Sequence, residues 1–339
     1  MSTVSYARSK AFFQDFVILS LPDRGALSSL VDGDRCQIRI MSKGKVLRLP
    51  SFVHVGPPRT GTTWLHEVLM GHIGLPSEKE TRFFDVRHDR GAEWYCDLFG
   101  DYPVEVPAGE MGPTYFSNAI ARERIKRHIP DCKIIVTFRE PAARLYSLYR
   151  LLRAERRPVN DTFDGYWRFQ INCGADLCSY ATHLKRWQAT FGKSRVLVLF
   201  YEDLSSNPQA YLDSVCDFIG AQRIALDRST VGSAKVYSAP AAARSSAVAR
   251  LVVEAIYWAS DHGARPLIER GQRTALWKVM RRPFVEDFPP LSHESAEEIR
   301  AMMLPETEEL ERLTGRNLSS WKDVAHRELD YGIERLVAG

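Results

Sequence analysis

The chain has 339 residues, of which 45% are hydrophobic and 26% are charged, as is typical of a globular protein with a substantial core. Its formal net charge of +4 is too small to indicate a nucleic-acid partner. No stretch approaches the roughly 20 consecutive apolar residues that cross a bilayer, and the apolar residues 16–21 are too few for a secretory signal. We therefore expect a cytoplasmic protein without a membrane span.

Cysteine spacing gives no sign of a metal centre or of a disulfide framework. The 6 cysteines are scattered, and no two of them form a C-x-x-C pair. Cys173, Cys178 and His183 lie close together in the sequence, but a second pair of ligands with matching spacing is missing. We expect free thiols and no metal site.

The first predicted element is a β-hairpin over residues 37–49, where the sequence alternates around a Lys-Gly turn. A short apolar strand follows at 52–55, and a helical pattern runs from Thr62 to about His72. The segment between them reads V-G-P-P-R-T-G-T-T-W at 55–64. Strand, glycine-rich loop and helix are the context in which phosphate-binding loops occur.

Strands and helices then alternate as far as residue 219. Buried-type strands are predicted at 132–138 and 195–200, and helices at 119–129, 141–153, 177–191 and 208–219. This alternation predicts an α/β fold, in which a P-loop-like parallel sheet is flanked by helices. Ligands of such sheets bind beyond the carboxyl ends of the strands.

The chain divides into three predicted regions. Residues 1–50 form an N-terminal extension with the β-hairpin, residues 51–230 an α/β core that carries the glycine-rich loop, and residues 231–339 a helical C-terminal region. The acidic run at 294–311 indicates a helix with a solvated face. The amphipathic C-terminal pattern is compatible with capping an acceptor pocket, with forming a homodimer, or with both.

The loop at 56–63 differs from a nucleotide-hydrolase P-loop at one position. Gly56 and Gly61 have the P-loop spacing and Thr63 fits the last place, but Thr62 stands where a P-loop has lysine. The cation comes earlier, as Arg59, whose planar fork suits a tetrahedral oxyanion. Converging backbone N–H groups and the helix dipole would still favour an anion.

A second anion site is predicted after the strand at 132–138. That strand ends in Arg139 and not in the carboxylate that a magnesium-dependent hydrolase needs. Arg144 and Ser147 follow on the next helix, three residues apart and therefore on one face. Arg144 either helps to clamp a second phosphate or is an ordinary surface residue of the helix.

Three motifs in order along the chain resemble the sulfotransferase family that uses 3′-phosphoadenosine-5′-phosphosulfate (PAPS). They are P-P-R-T-G-T-T-W at 57–64, R-E-P-A-A-R-L-Y-S-L-Y at 139–149 and L-F-Y-E-D-L-S-S-N-P at 199–208. The resemblance extends over about residues 50–220 and implies the sulfotransferase fold. It also implies transfer of a sulfuryl group from PAPS to an acceptor hydroxyl, with release of the bisphosphate PAP. Because a sulfuryl group in transfer carries less negative charge than a phosphoryl group, no metal is required to offset it.

The resemblance also assigns residues to the donor. It implies that the 5′-phosphosulfate is held by Arg59, Thr60, Gly61, Thr62 and Thr63, the 3′-phosphate by Arg139 and Ser147, and the adenine by Trp64 and Tyr201. Arg59 would stabilise the charge that develops on the leaving phosphate. The basic motif near the C-terminus of the family has no clear counterpart here, and Lys235, Arg244 and Arg250 are its candidates.

The segment S-E-K-E-T-R-F-F-D at 77–85 is similar to the K-E-x-H-F-F-D segment of the carbohydrate sulfotransferase branch. This similarity implies that Glu80 is the catalytic base that deprotonates the acceptor hydroxyl. Arg82 replaces the histidine of that branch, and Met111 replaces a lysine on the substrate side. The second change favours an acceptor less anionic than a sulfated polysaccharide, such as the hydroxyl of a small molecule, a glycoside or a lipid.

Alternatives remain open at this point. A histidine base is the competitor of Glu80, with candidates His54, His66, His72 and His88, none of which stands in the motif position. An ATP-dependent kinase would require magnesium and a lysine after Gly61. A binding protein that senses PAPS or PAP without chemistry would keep Arg139 and Ser147 and tolerate the loss of Glu80.

Overall fold

The structure is a computed structural model that describes residues 39–226, 241–243, 281–283, 288 and 290–322, apart from short gaps at 43–44, 101, 104, 155–156, 158, 175 and 177. The candidates Lys235, Arg244 and Arg250 lie outside the described residues, and the division of the chain into three regions remains a prediction. None of the described helices combines the length and the apolar character that crossing a bilayer requires.

The described elements follow one another in an alternating order. The strands are β1 (Arg39–Ser42), β2 (Lys45–Arg48), β3 (Phe52–Gly56), β4 (Gly109–Met111), β5 (Lys133–Phe138), β6 (Val196–Phe200), β7 (Ala241–Ala243) and β8 (Arg281–Pro283). The helices are α1 (Thr62–Leu69), α2 (Gly91–Asp97), α3 (Ala119–His128), α4 (Pro141–Ala154), α5 (Phe163–Asn172), α6 (Tyr180–Phe191), α7 (Tyr201–Ser206), α8 (Pro208–Ile219), α9 (His293–Thr314) and α10 (Ser319–Lys322). Two 3-10 turns lie at His88–Arg90 and Lys193–Arg195.

A four-stranded parallel sheet in the order β4-β3-β5-β6 forms the centre of the protein. Its residues alternate between two hydrophobic clusters. Val53 and Ile134 belong to the larger cluster, which includes residues of α4, α6 and α9, whereas Phe52 belongs to the smaller one with residues of α1 and α8. Apolar strands covered on both faces are the arrangement expected of a parallel sheet, and the predicted α/β fold is confirmed.

Several element boundaries differ from the predictions for local reasons. The hairpin is confirmed as the antiparallel pair β1–β2. Helix α1 ends at Leu69 instead of near His72, because Met70 is extended and Gly71 takes a positive φ of 84°. Strand β4 was not predicted, since its three residues include the carboxylate of Glu110 and offer no apolar run.

The C-terminal helix α9 is tied to the start of α4 by a buried ion pair. Glu140 accepts hydrogen bonds from the backbone N–H groups of Ala142 and Ala143, at 3.2 and 2.6 Å, and so caps α4. Arg300 of α9 donates its Nε–H to the same carboxylate at 3.1 Å, with 9% and 8% of the two side chains exposed. The pair therefore fixes α9 against the segment that begins at Arg139.

Replacing Arg300 with alanine should lower the free energy of unfolding by about 3 kcal/mol or more, because the Glu140 carboxylate would stay buried without this cation. The matched variant Arg312→Ala lies on the same helix and removes a solvent-screened pair with Glu309, so it should lower the free energy of unfolding far less. Urea denaturation of both variants measures the difference. Equal losses in the two variants would contradict the role given to the buried pair.

Candidate active site

The carboxyl ends of the parallel strands bring the three sequence motifs to one edge of the sheet. Strand β3 runs into the loop at 56–61, β5 is followed by Arg139, and β6 is followed by Tyr201. Residues from all three motifs line one small cavity, which we call the recess: Arg59, Gly61, Thr62, Thr63, Trp64, Arg139 and Tyr201. The recess thus contains seven of the nine residues predicted to hold the donor.

Two glycines allow the loop to take its path. Gly56 has a φ of 100°, and a Cβ atom there would lie 2.4 Å from the carbonyl oxygen of Pro113. Gly61, the residue before α1, has a φ of 89°, and a Cβ atom there would lie 2.5 Å from a methyl group of Leu204. Only glycine combines these backbone angles with such close neighbours. The loop therefore owes its shape to contacts with the segment after β4 and with α7, as well as to its own sequence.

A buried histidine, His54 of β3, accepts a hydrogen bond from the start of the loop. The backbone N–H of Gly56 donates to His54 Nδ1 at 3.2 Å, so the proton of the neutral ring lies on Nε2. Nε2 lies 3.0 Å from the hydroxyl of Thr137, which lies 2.7 Å from the hydroxyl of Tyr211. Burial, together with the charge of Lys79, lowers the pKa of His54 to about 3. This imidazole is an uncharged structural link between β3 and β5.

The remaining candidates for a histidine base do not line the recess either. Burial lowers the pKa of His66 to about 4, and His72 is exposed at the surface. His88 Nε2 lies 2.9 Å from His128 Nε2. None of these histidines, nor His54, lines the recess.

The two predicted phosphate motifs meet through Arg59. Its Nε–H donates to Ser147 Oγ at 3.0 Å, across 88 residues of sequence. Arg139 donates to the backbone carbonyl of Arg59 at 3.3 Å, and its guanidinium lies 4.3 Å from the ring centroid of Tyr201. Tyr180 donates to the carbonyl of Arg139 at 2.9 Å and so fixes the strand end. The Arg59 side chain is therefore directed toward the residue predicted for the 3′-phosphate.

Thr60 and Arg144 are both buried in the interior. Thr60 is fully buried and donates its hydroxyl to the carbonyl of Pro57 at 2.7 Å, so its hydroxyl is committed to the loop itself. Only 4% of Arg144 is exposed, so the alternative that it is a surface residue is wrong. Its Nη2 donates to Cys178 Sγ at 3.2 Å, and its guanidinium lies 5.8 Å from the ring centroid of Tyr180.

Lys79 links its neighbour Glu80 to the loop. Lys79 Nζ lies 3.3 Å from Glu80 Oε1 and donates to Thr63 Oγ1 at 2.6 Å. The carboxylate is 37% exposed. The sequence analysis missed Lys79 as a residue of the site. Its position next to Glu80, in the segment that resembles a catalytic motif, is the signal that could have found it.

A buried carboxyl fixes the segment that carries Glu80. Glu110 of β4 accepts a hydrogen bond from the hydroxyl of Thr81 at 2.5 Å, and that hydroxyl accepts one from the N–H of Phe83 at 3.1 Å. Burial raises the pKa of Glu110 from 4.5 to about 7, although the hydrogen bond from Thr81 acts in the opposite direction. The neighbouring Met111 is fully buried in the smaller hydrophobic cluster. The methionine at this position is therefore explained by packing in the core. It gives little support to the expectation of a less anionic acceptor.

A cleft with a volume of ≈ 270 Å³ begins at Pro57 and Pro58, next to the loop. Most of its walls are apolar or uncharged, and they include Pro113, Thr114, Phe116, Ser117, Leu148, Tyr166, Gln170 and Tyr180. His183 also lines the cleft, and its Nε2 contacts the carboxylate of Asp176. Within the described residues, His183 Nδ1 has no hydrogen-bond partner. The cleft is large enough for part of a small organic molecule.

Comparison with known proteins identifies the family. The family model of the sulfotransferase domain matches residues 49–235, which is more than half of the chain. The chain belongs to this family, in agreement with the resemblance read from its three motifs.

Relatives with assigned functions match about half of the chain. The bifunctional heparan sulfate N-deacetylase/N-sulfotransferase 2 of Homo sapiens is 31% identical over 207 residues, an alignment that covers 53% of this chain and 23% of the relative. The corresponding enzyme 4 of Mus musculus is 32% identical over 196 residues, with 51% of this chain and 22% of the relative covered. The chain thus spans less than a quarter of the length of these relatives.

One solved structure supports the fold over most of the chain. A sulfotransferase from Alicyclobacillus acidocaldarius superposes with a TM-score of 0.56, covering 81% of this chain and 99% of that chain. Sequence identity is 20%, so the likeness concerns the fold alone.

The buried Glu110 predicts how stability changes with pH. Because its pKa is near 7 in the folded protein and 4.5 ordinarily, the folded state keeps a proton between these values that the unfolded state has lost. The free energy of unfolding should therefore fall as pH rises from about 4.5 to 7, by on the order of 3 kcal/mol, and then level off. Glu110→Gln should lack this contribution.

Urea denaturation at pH 5 and pH 8 measures the effect in the wild type and in the Glu110→Gln variant. The exposed Glu123→Gln is the matched control and should behave as the wild type does. A wild type and a Glu110→Gln variant that lose the same stability between the two pH values would contradict the assignment.

Proposed function

We propose that the protein transfers the sulfuryl group of PAPS to an acceptor hydroxyl and releases PAP. Membership of the sulfotransferase family supports the class of reaction. The observation that carries the proposal is the hydrogen bond between Arg59 and Ser147, which joins two anion-binding motifs at one edge of the sheet. A donor with separate anionic groups at its 5′ and 3′ ends requires such a two-ended site.

The donor would lie along this edge with its 5′ end at the loop. In this proposal Arg59, Thr60, Gly61, Thr62 and Thr63 hold the 5′-phosphosulfate, with Thr60 acting through its backbone, and Arg139 and Ser147 hold the 3′-phosphate. Trp64 and Tyr201 contact the adenine. Trp64 is only 1% exposed, so its contact is restricted to the atoms that reach the recess. Binding also requires Arg139 to move from the face of the Tyr201 ring if the base is to stack there.

The transfer itself would need positioning and one base. The acceptor oxygen attacks sulfur as Glu80 takes the hydroxyl proton, and the bond between sulfur and the bridging oxygen of the 5′-phosphate breaks. The electron pair of that bond leaves with PAP, and the Arg59 guanidinium offsets the charge that develops there. No metal enters this scheme, because the sulfuryl group carries little charge of its own.

The acceptor would bind in the cleft that begins at Pro57 and Pro58. Most of its walls are apolar or neutral, with Arg144 and Asp176 as the charged exceptions, which favours a small molecule, a glycoside or a lipid that carries a hydroxyl. An amino group on a glycan is the second candidate, since the matching relatives are named as N-sulfotransferases. A cytoplasmic location and a homodimer remain predictions from the sequence.

Ligand-dependent thermal stability tests the donor site. PAP at about a hundred times its dissociation constant should stabilise the wild type by nearly 3 kcal/mol, and ADP should do so much less, since it has no 3′-phosphate. Arg139→Ala should lose most of the response to PAP. The control variant Arg195→Ala removes an exposed arginine next to the amino end of β6, and it should keep the full stabilisation by PAP. A larger response to ATP with magnesium than to PAP would favour a kinase.

Replacing Glu80 with glutamine tests the base. Loss of the proton acceptor should lower kcat by a factor of about 10² to 10⁴, while the dissociation constant of PAP changes by less than about threefold. Transfer of labelled sulfate from PAPS to a panel of hydroxyl and amine acceptors provides the rate, with the exposed Glu123→Gln as the control. If Glu80→Gln kept the wild-type rate, another base would be required, and His183 in the cleft would be examined next.

A further inference from the structure

Thr63 occupies the position at which a P-loop binds its metal ion. In P-loop proteins, the serine or threonine after the lysine places its hydroxyl on magnesium, which neutralises the phosphates. In this protein the hydroxyl of Thr63 accepts a hydrogen bond of 2.6 Å from Lys79 Nζ. A cation supplied by the chain itself therefore contacts the oxygen that would otherwise bind the metal.

The segment around Lys79 is held on both sides. Arg87 donates to Glu78 at 2.8 Å on one side, and Thr81 donates to the buried Glu110 at 2.5 Å on the other. With its neighbours fixed, Lys79 needs little further ordering to keep its ammonium over the loop, although 29% of its side chain is exposed.

The charge of Lys79 also reaches the elements on both sides of the loop. It contributes, after burial, to the lowered pKa values of His54 on β3 and His66 on α1. These two histidines precede and follow the loop, so the positive potential covers the position where the 5′ end of a nucleotide would lie. Arg59, by contrast, directs its Nε–H to Ser147 on the 3′ side.

We propose that Lys79 is a donor-binding residue whose ammonium group takes the place that magnesium holds in a P-loop, at the 5′-phosphosulfate. This inference rests on the proposed function. An ammonium has three N–H donors, of which one reaches Thr63 and one lies toward Glu80, and the third would donate to an oxygen of the bound PAPS. The same group would stabilise the leaving phosphate and hold Glu80 beside the acceptor.

The test compares two ligands that differ only at the 5′ end. PAP carries a 5′-phosphate and adenosine 3′-monophosphate does not, so only PAP can contact Lys79. In Lys79→Met the dissociation constant of PAP should rise by about 10-fold to 100-fold, the range of a charge-assisted hydrogen bond, while that of adenosine 3′-monophosphate changes by less than about twofold. Isothermal titration calorimetry measures both.

Two controls isolate the effect. Lys193→Met removes an exposed lysine from the 3-10 turn before β6 and should bind both ligands as the wild type does. The melting temperature of ligand-free Lys79→Met should match that of the wild type, which excludes misfolding as the cause of weaker binding.

The outcomes separate this inference from the proposed function. Tight PAP binding that is the same in the wild type and in Lys79→Met, or a loss that is equal for both ligands, would overturn the role of Lys79 and leave the proposed function standing. The role of Lys79 would also be overturned if the wild type bound PAP ten times more tightly with magnesium than with EDTA. A wild type that does not bind PAP would overturn both proposals.

Discussion

Parallel pairing of β3 with β5 is the interaction on which the candidate site depends, because it places two strand ends that are distant in sequence side by side. Val53 lies opposite Ile134, and the strands then end in the loop at 56–61 and in Arg139. Hydrogen bonds from His54 to Thr137 and from Gly56 to His54 extend this pairing into the loop. The sheet order also brings Tyr201 to this edge, since β6 lies next to β5.

Electrostatics at this edge are set by cations that the fold holds in place. Arg139 is anchored through its carbonyl by Tyr180, and the helix that follows it is capped by Glu140, which is paired in turn with Arg300 of α9. These contacts fix the backbone that carries Arg139, which lowers the entropic cost of binding an anion, while its guanidinium still has to leave the Tyr201 ring if the adenine stacks there. The distant helix α9 thereby supports the start of the predicted 3′-phosphate motif.

The sequence allowed the elements around the sheet to be predicted where the signal is local. Apolar runs identified β3, β5 and β6, and the spacing of Gly56 and Gly61 identified the loop. The positions of Lys79 over Thr63 and of Arg144 in the interior depend on contacts between distant segments, which no local pattern records. Strand β4 was not predicted for a related reason, since its Glu110 is buried beside hydrogen-bonding partners from other segments, such as Thr81.

The roles assigned to site residues differ in how much the structure adds to them. Arg59, Arg139 and Tyr201 come together as the resemblance implies, whereas Glu80 reaches the loop only through Lys79. For Met111 the structure removes support for the role. This residue suggested a less anionic acceptor in place of a lysine, but it lies in the hydrophobic core.

The central claim concerns which group is transferred, and direct measurement of that transfer tests it most sharply. The purified chain would be incubated in parallel with PAPS labelled in its sulfate and with ATP labelled in its γ-phosphate, each with magnesium, and with hydroxyl and amine acceptors. The account predicts labelled sulfate on an acceptor, matched by released PAP, and no transfer from ATP. Transfer of phosphate from ATP, or tight binding of PAP with no turnover of PAPS on any acceptor, would contradict it.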